Sequence, residues 1–379
     1  MIDKENYKEE FDEIEPEDTD DVISDEDIIS PFDPKKIKIT IEPNTVYGLV
    51  QRMRYGNIDL NTEFQRKGNL WAPAVQSKLV ESLLLRFPLP AFYFDATDDD
   101  KWLVVDGLQR LWTLRNFIIE DKEPLQLQGL EILTNKEFSG KIYEKLSPNF
   151  RRRILETPIT TYLIQPGTPK EVKYNVFRRI NTSGLTLNPQ EIRHALNQGQ
   201  AADYLRDISE RDEFKSYLKI QDKRMQDREL ILRYLAYMLK DYNEYEKPMA
   251  TFLDKAMERL NDLSKEDLLD LEERLFNSLK ISRELFGDNM FSRSIVEGKR
   301  KMLNSALFEV CTSQFAKLSN EDYEVLINNK NEFLAGLRLA LTDDKDKDFL
   351  GSISSATSGK AAVKKRFETI NRIIKNNIK

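Results

Sequence analysis

The chain has 379 residues, 40% of them apolar, with one cysteine, one histidine and a formal charge of −7. This length and apolar content suggest two to three domains with packed cores. The chain has no apolar run of ~18 residues and no basic-then-apolar N-terminus, so a cytoplasmic protein without a membrane partner is expected. The lone Cys311 excludes an internal disulfide or a cysteine-ligated metal centre and reads as core filling. The lone His194 leaves histidine-metal nucleases, zinc hydrolases and histidine-based triads at most one candidate, and no G-x-S-x-G elbow supports a triad.

In chain order, residues 1–30 hold 14 acidic and 2 basic residues, a net −12, which leaves 56 basic against 51 acidic and a net +5 for the remainder. Residues 1–34 therefore read as a disordered acidic tail. A sharper reading makes it a nucleic-acid mimic or autoinhibitory arm over a basic groove.

"KIKITI" (36–41) predicts a strand, "TVYGLVQRMRYG" a helix ended by Gly56, and "NIDLN" a second strand. "PAVQSKLVESLLLRF" predicts a helix opened by Pro73, with Val75, Leu79, Ser82, Leu83 and Phe87 on its buried face. "PAFYFDAT" and "KWLVVDG" read as a hairpin around "DDD", followed at once by the helix "LQRLWTLRNFII". "ITTYLIQ" (159–165) predicts a strand and "KEVKYNVFRRI" a helix, before the loop "NTSGLTLNPQE". After about residue 200 only helical periods remain, with Ser264 and Ser319 as helix caps. The expected fold class is α+β: a mixed α/β domain over 35–200 and an all-helical domain over 201–379.

Three residue sets carry candidate chemistry. At "VVDGLQRL", a strand runs through Asp106 and Gly107 into a helix whose first turn holds Gln109 and Arg110. A cation at a helix N-terminus is unfavourable unless an anion offsets it, and phosphate fits the Arg110 fork, the Gly107 backbone and the Gln109 amide. The competing reading is a self-contained turn in which Asp106 caps the helix and pairs with Arg110. At "EFQRKGNLWAP", Gln65 and Arg66 follow a strand, with Lys67 and Lys78 nearby in sequence. At "FRRINTSGLTLNPQEIRHA", Arg178 and Arg179 close a helix, Asn181 starts a turn, and Glu191 lies in the next helix. Asn181 and Glu191 are candidate Mg²⁺ ligands, and each also has a plain capping role.

In this order the three motifs resemble the GmrSD-type N-terminal domain family of the ParB/sulfiredoxin superfamily, over roughly residues 40–200. "TSGKAAVKKRF" is similar to the helical extension that follows such domains. The resemblance implies a ParB/sulfiredoxin-like nucleotide-binding fold, NTP binding or hydrolysis, and a role in DNA restriction or phage defence. It places Asp106, Gly107, Gln109 and Arg110 on the family's D-G-Q-Q-R signature, Gln65 and Arg66 on the first motif and Asn181 on the third. One position departs: Leu108 stands where glutamine is frequent. No H-x-x-P motif supports a histidine-metal nuclease, and "DGLQR" lacks the cysteine of sulfiredoxin chemistry.

The reading that follows is a Mg²⁺-dependent NTPase acting with a partner nuclease or as a homo-oligomer. Asp106 would position water or metal, while Gln65, Gly107, Gln109, Arg110, Lys78 and Arg178 would hold the nucleotide. Arg66 would neutralise developing charge, and Asn181 and Glu191 would assist the metal. Under this reading Arg110→Ala costs activity and leaves the melting temperature nearly unchanged. The alternatives are a DNA-binding module without turnover, using the same arginines with Lys67 and the "KKRF" helix (364–367), and a protein-interaction adaptor on a degenerate scaffold.

Overall fold

The computed structural model describes residues 14–15, 34–60, 71–98, 100–120, 122–180, 188–218, 220, 224–293, 302–342 and 347–378. Gln65, Arg66, Lys67, Asn181 and nearly all of the acidic tail lie outside the described residues, as does the side chain of Arg178. The chain divides into two units, Pro31–Leu196 and Asn197–Lys379, with Met1–Ser30 grouped in the second.

The α/β unit starts with β1 (Ile39–Thr45). Its last residue, Thr45, is the N-cap of α1 (Val46–Arg54), with the hydroxyl accepting from Gly48 N at 3.2 Å. Then come β2 (Ile58–Asp59), α2 (Pro73–Leu84), β3 (Phe92–Asp95) and β4 (Trp102–Asp106). α3 (Leu108–Leu114) continues into a π-helical turn (Arg115–Ile119). α4 (Pro148–Leu155), β5 (Pro158–Ile164), α5 (Lys170–Ile180) and α6 (Pro189–Leu196) complete it. The five-stranded sheet has the order β1-β5-β3-β4-β2. β1 runs antiparallel to β5 and β4 antiparallel to β3, whereas β5 is parallel to β3 and β2 parallel to β4.

Two expectations shift. The first strand spans Ile39–Thr45 rather than 36–41, because its register is set by pairing Ile39 with Ile164 and Thr45 with Pro158. It lies at the sheet edge, where Pro43 costs no ladder bond. On α2 the buried residues are Gln76, Ser77, Val80, Glu81, Leu83 and Leu84, while Val75 and Phe87 are exposed. Polar groups turn inward there to clamp a loop. Ser77 Oγ accepts from Gln128 N at 3.0 Å, and the Glu81 carboxylate accepts from the backbone N–H groups of Glu131, Ile132 and Leu133 at 3.1, 2.8 and 2.7 Å. Burial opposes the charge on Glu81, but these three donors outweigh it and hold the carboxyl below its ordinary range.

The core of this unit joins Leu49, Val80, Leu83, Phe92, Phe94, Val104, Leu111 and Leu114, all 1% exposed or less. Leu108 belongs to the same cluster. The position where the family signature frequently carries glutamine thus faces packed side chains in this chain.

The second unit is helical: α7 (Gln200–Glu210), α8 (Asp212–Tyr217), α9 (Gln226–Leu239), α10 (Met249–Asn261) and α11 (Lys265–Phe286). They are followed by α12 (Ser305–Phe315), α13 (Asn320–Asn328), α14 (Lys330–Thr342), α15 (Lys347–Ser354) and α16 (Lys360–Asn377). Ser264 and Ser319 cap α11 and α13 as expected, each in a reciprocal box with an aspartate three residues on, Asp267 and Asp322. Every residue of α12 is buried, Cys311 among them, and burial pushes the Cys311 thiol up to about 12. The Glu309 carboxylate on α12 is fully buried between Arg366 of α16, bonded through Nε at 2.9 Å, and Arg233 of α9 at 3.3 Å. Arg366 also donates to the carbonyls of Ser352 and Thr357. The arginine of "KKRF" is thus a fully buried link between helices and not a surface contact for a nucleic-acid backbone, as the DNA-binding alternative supposed.

Candidate functional site

Strand β4 delivers Asp106 and Gly107 to the start of α3. Gly107 has φ 102°, the left-handed region, and a Cβ there would collide with the Phe92 ring. Its glycine is thus accounted for by the turn and by Phe92 without a phosphate approaching it. Arg110, one turn on, points inward. Its Nη2 donates to Asp106 Oδ2 at 2.8 Å and to Ala91 O at 3.0 Å, its Nη1 donates to Pro90 O, and its guanidinium lies 4.2 Å from the Phe92 ring centroid. Only 8% of the residue is exposed. Burial pulls the Arg110 pKa down and the Asp106 charge opposes it.

Arg110 as a phosphate fork is therefore corrected: both terminal nitrogens of the guanidinium are turned inward onto one carboxylate and two carbonyls, and the cation unfavourable at a helix N-terminus is offset within the chain. The self-contained turn is observed with one change. The N-cap is Gly107, with no side-chain cap, so Asp106 pairs with Arg110 but does not cap α3.

Three further candidates fall elsewhere. Lys78 stands half-exposed on α2 in an ion pair with Glu131. Glu191 is bound in a reciprocal box: Asn188 N donates to its Oε2 and its own N–H donates to Asn188 Oδ1, both at 2.7 Å. That engages one oxygen of the carboxylate proposed for a metal, and among the described residues no group of three or more His, Cys, Asp or Glu is placed to hold a metal ion. His194 is buried in α6.

Gln109 behaves differently. Its Oε1 accepts from Trp71 N at 3.2 Å, tying the D-G-x-Q-R turn to the residue that leads from the first motif into α2. From there a chain of amides runs across α2 and α3: Gln76 Nε2 donates to Trp71 O at 2.7 Å, and Asn116 Nδ2 donates to Gln76 Oε1 at 3.1 Å. Beside this chain lies a polar groove of about 630 Å³ lined by Gln76, Trp112, Arg115 and Asn116, among others. The Trp112 indole N–H is buried without a hydrogen-bond partner. Arg115 lies 4.9 Å from the Trp112 ring centroid and 3.5 Å from Glu120, with over a third of its side chain exposed.

Sequence reasoning named Gln109 but not Gln76, Trp112, Arg115 or Asn116. Their signal was in the sequence: Gln109, Trp112 and Asn116 recur at helical spacing, a stripe that reads as core until a neighbouring helix is known to leave a groove there. A second missed feature is the buried pair of Asp95, ending β3, and Lys173 on α5, 2.9 Å apart, with Thr97 bonded to both.

No helix among the described residues is long and apolar enough to cross a membrane. No curated protein and no solved structure matches the chain. Residues 46–198, the span holding the Gly107 turn, the amide chain and the groove, match the family model described as GmrSD restriction endonuclease, N-terminal domain. Over residues 46–198, then, the chain is similar to the N-terminal domain of GmrSD restriction endonucleases, a likeness that points toward a restriction system.

Proposed function

We propose that this domain is a ParB-like nucleotide-binding module that binds and hydrolyses a nucleoside triphosphate to regulate DNA restriction together with a partner nuclease. The observation that carries the reading is the groove lined by Gln76, Trp112, Arg115 and Asn116, whose size lies within the range of small-molecule sites. It combines an indole with an unmet N–H, an accessible guanidinium and an amide chain. A purine or pyrimidine offers a flat face for Trp112 and Arg115, and its phosphates offer the Arg115 guanidinium an anion. The phosphates would lie toward the Gln109 end, where the first and second motifs meet. Asp106 and Arg110 act here as the brace that sets the turn, not as phosphate ligands. Among the described residues one oxygen of Glu191 accepts from Asn188 N and one of Asp106 pairs with Arg110, and Asn181 lies outside them, so no step of this reading passes through the metal.

Titrating fluorescent ATP and GTP analogues into the full chain, with Mg²⁺ and with a chelator, tests this directly. Binding should occur and should weaken about tenfold in Arg115→Ala, the expected loss of one charge-assisted contact. The melting temperature should stay within about 2 °C, as expected for a half-exposed side chain. Absence of binding by the wild-type chain in both conditions removes the reading.

A further inference from the structure

The N-terminal arm touches the helical unit at a defined place. Ile14 forms a parallel bridge with Leu303, which is also bridged by Ser292, and Glu15 N donates to Leu303 O at 2.8 Å. The Ile14 side chain packs against the helical core. The Glu15 carboxylate, 14% exposed, accepts from Arg293 Nε and from Asn304 Nδ2, both at 2.9 Å. The receiving side is fixed by bonds that do not involve the arm. Asn304 is 5% exposed, its Oδ1 caps α12 by accepting from Leu307 N at 2.8 Å, its Nδ2 also donates to Ile353 O, and its own N–H donates to Phe291 O.

A main-chain bridge, an apolar seat and a carboxylate clamp together make the chemistry by which folded domains recognise extended peptides. The clamp residue is locked in one orientation beforehand, which reduces the ordering cost of binding. We propose that this corner of the helical unit is a docking site for an extended apolar–acidic peptide, and that the chain's own Ile14–Glu15 is its resident occupant. The arm is strongly acidic and poor in core-forming residues, a composition that does not order by itself. A covalently linked occupant outcompetes a free one, so a partner segment of the same chemistry enters only by displacing the arm.

The test uses full-length protein and a fluorescent peptide covering residues 9–20. The double variant Ile14→Asp, Glu15→Lys vacates the site and should bind this peptide at least about tenfold more tightly than the wild-type chain, whose own arm competes. Adding Arg293→Glu to that variant should weaken binding by at least about tenfold, the cost of opposing a charge-assisted bond. Unchanged circular dichroism and a retained cooperative melting transition in each variant exclude misfolding as the cause. The proposal fails if the double variant binds the peptide no better than wild type, or if Arg293→Glu leaves binding intact. It also fails if the wild-type chain sediments as a dimer that the double variant converts to monomer, because the occupant is then a second copy's arm.

Discussion

Gly107 and Arg110 occupy one tight corner, and each has a measurable role there. Gly107→Ala places a Cβ in a left-handed position against the Phe92 ring and should cost about 1–3 kcal/mol in urea denaturation; a loss within error of zero would mean the turn relaxes freely. Arg110→Ala leaves the Asp106 carboxylate and two carbonyls without their donor and should cost about 3 kcal/mol. This reverses what a phosphate role implied, so an unchanged melting temperature would restore that role. Cys311 offers a third readout. With its thiol held at about 12, it should resist alkylation at pH 8 in the native chain and react at a normal rate once the helical unit is unfolded in urea.

At the scale of elements, α2 works as a clamp. Its buried Gln76, Ser77 and Glu81 hold Trp71 and the 128–133 stretch, Lys78 pairs with Glu131 at the surface, and the groove acquires a fixed wall. Glu81→Gln should loosen this wall and raise hydrogen exchange at the amides of Glu131, Ile132 and Leu133. The pH dependence has a definite sign. The Glu81 carboxyl titrates lower in the folded state than its ordinary 4.5, so its contribution to stability is fully present above about pH 4.5 and is lost as pH falls through the folded value. The stability gap between wild type and Glu81→Gln should therefore be widest at neutral pH and narrow steadily below pH 4.5; a gap that does not change with pH would show that the charge contributes nothing.

Across the whole molecule, each unit has its own apolar cluster, and the helical one encloses a charged centre. Glu309 joins α9, α12 and α16, so Glu309→Gln removes the counter-charge of the fully buried Arg366, while Arg233 keeps Glu229, and should cost about 3–5 kcal/mol. The same change should expose Cys311 to alkylation at lower urea, because both residues lie on α12. Loss of stability without earlier Cys311 labelling would place the damage outside this unit's core.

Much of the fold follows from local patterning alone. The strand alternation of "KWLVVDG", the turn at Gly107, the boxes at Ser264 and Ser319, and the change from mixed to helical periods near residue 200 are set by neighbouring residues, so they are legible in the sequence. Three ordered motifs were also enough to identify the domain family. The destinations of polar side chains were decided only by tertiary structure. For Arg110 and Glu191 the sequence left a ligand and a local partner both open, it gave Glu81 no role and it placed the "KKRF" helix on a nucleic-acid backbone; the fold gives Arg110, Glu81, Glu191 and Arg366 each a partner inside the chain. Whether a charge faces a ligand or a neighbouring loop depends on which distant backbone N–H or carboxylate lies within about 3 Å, and only the packing of one element on another brings those groups together.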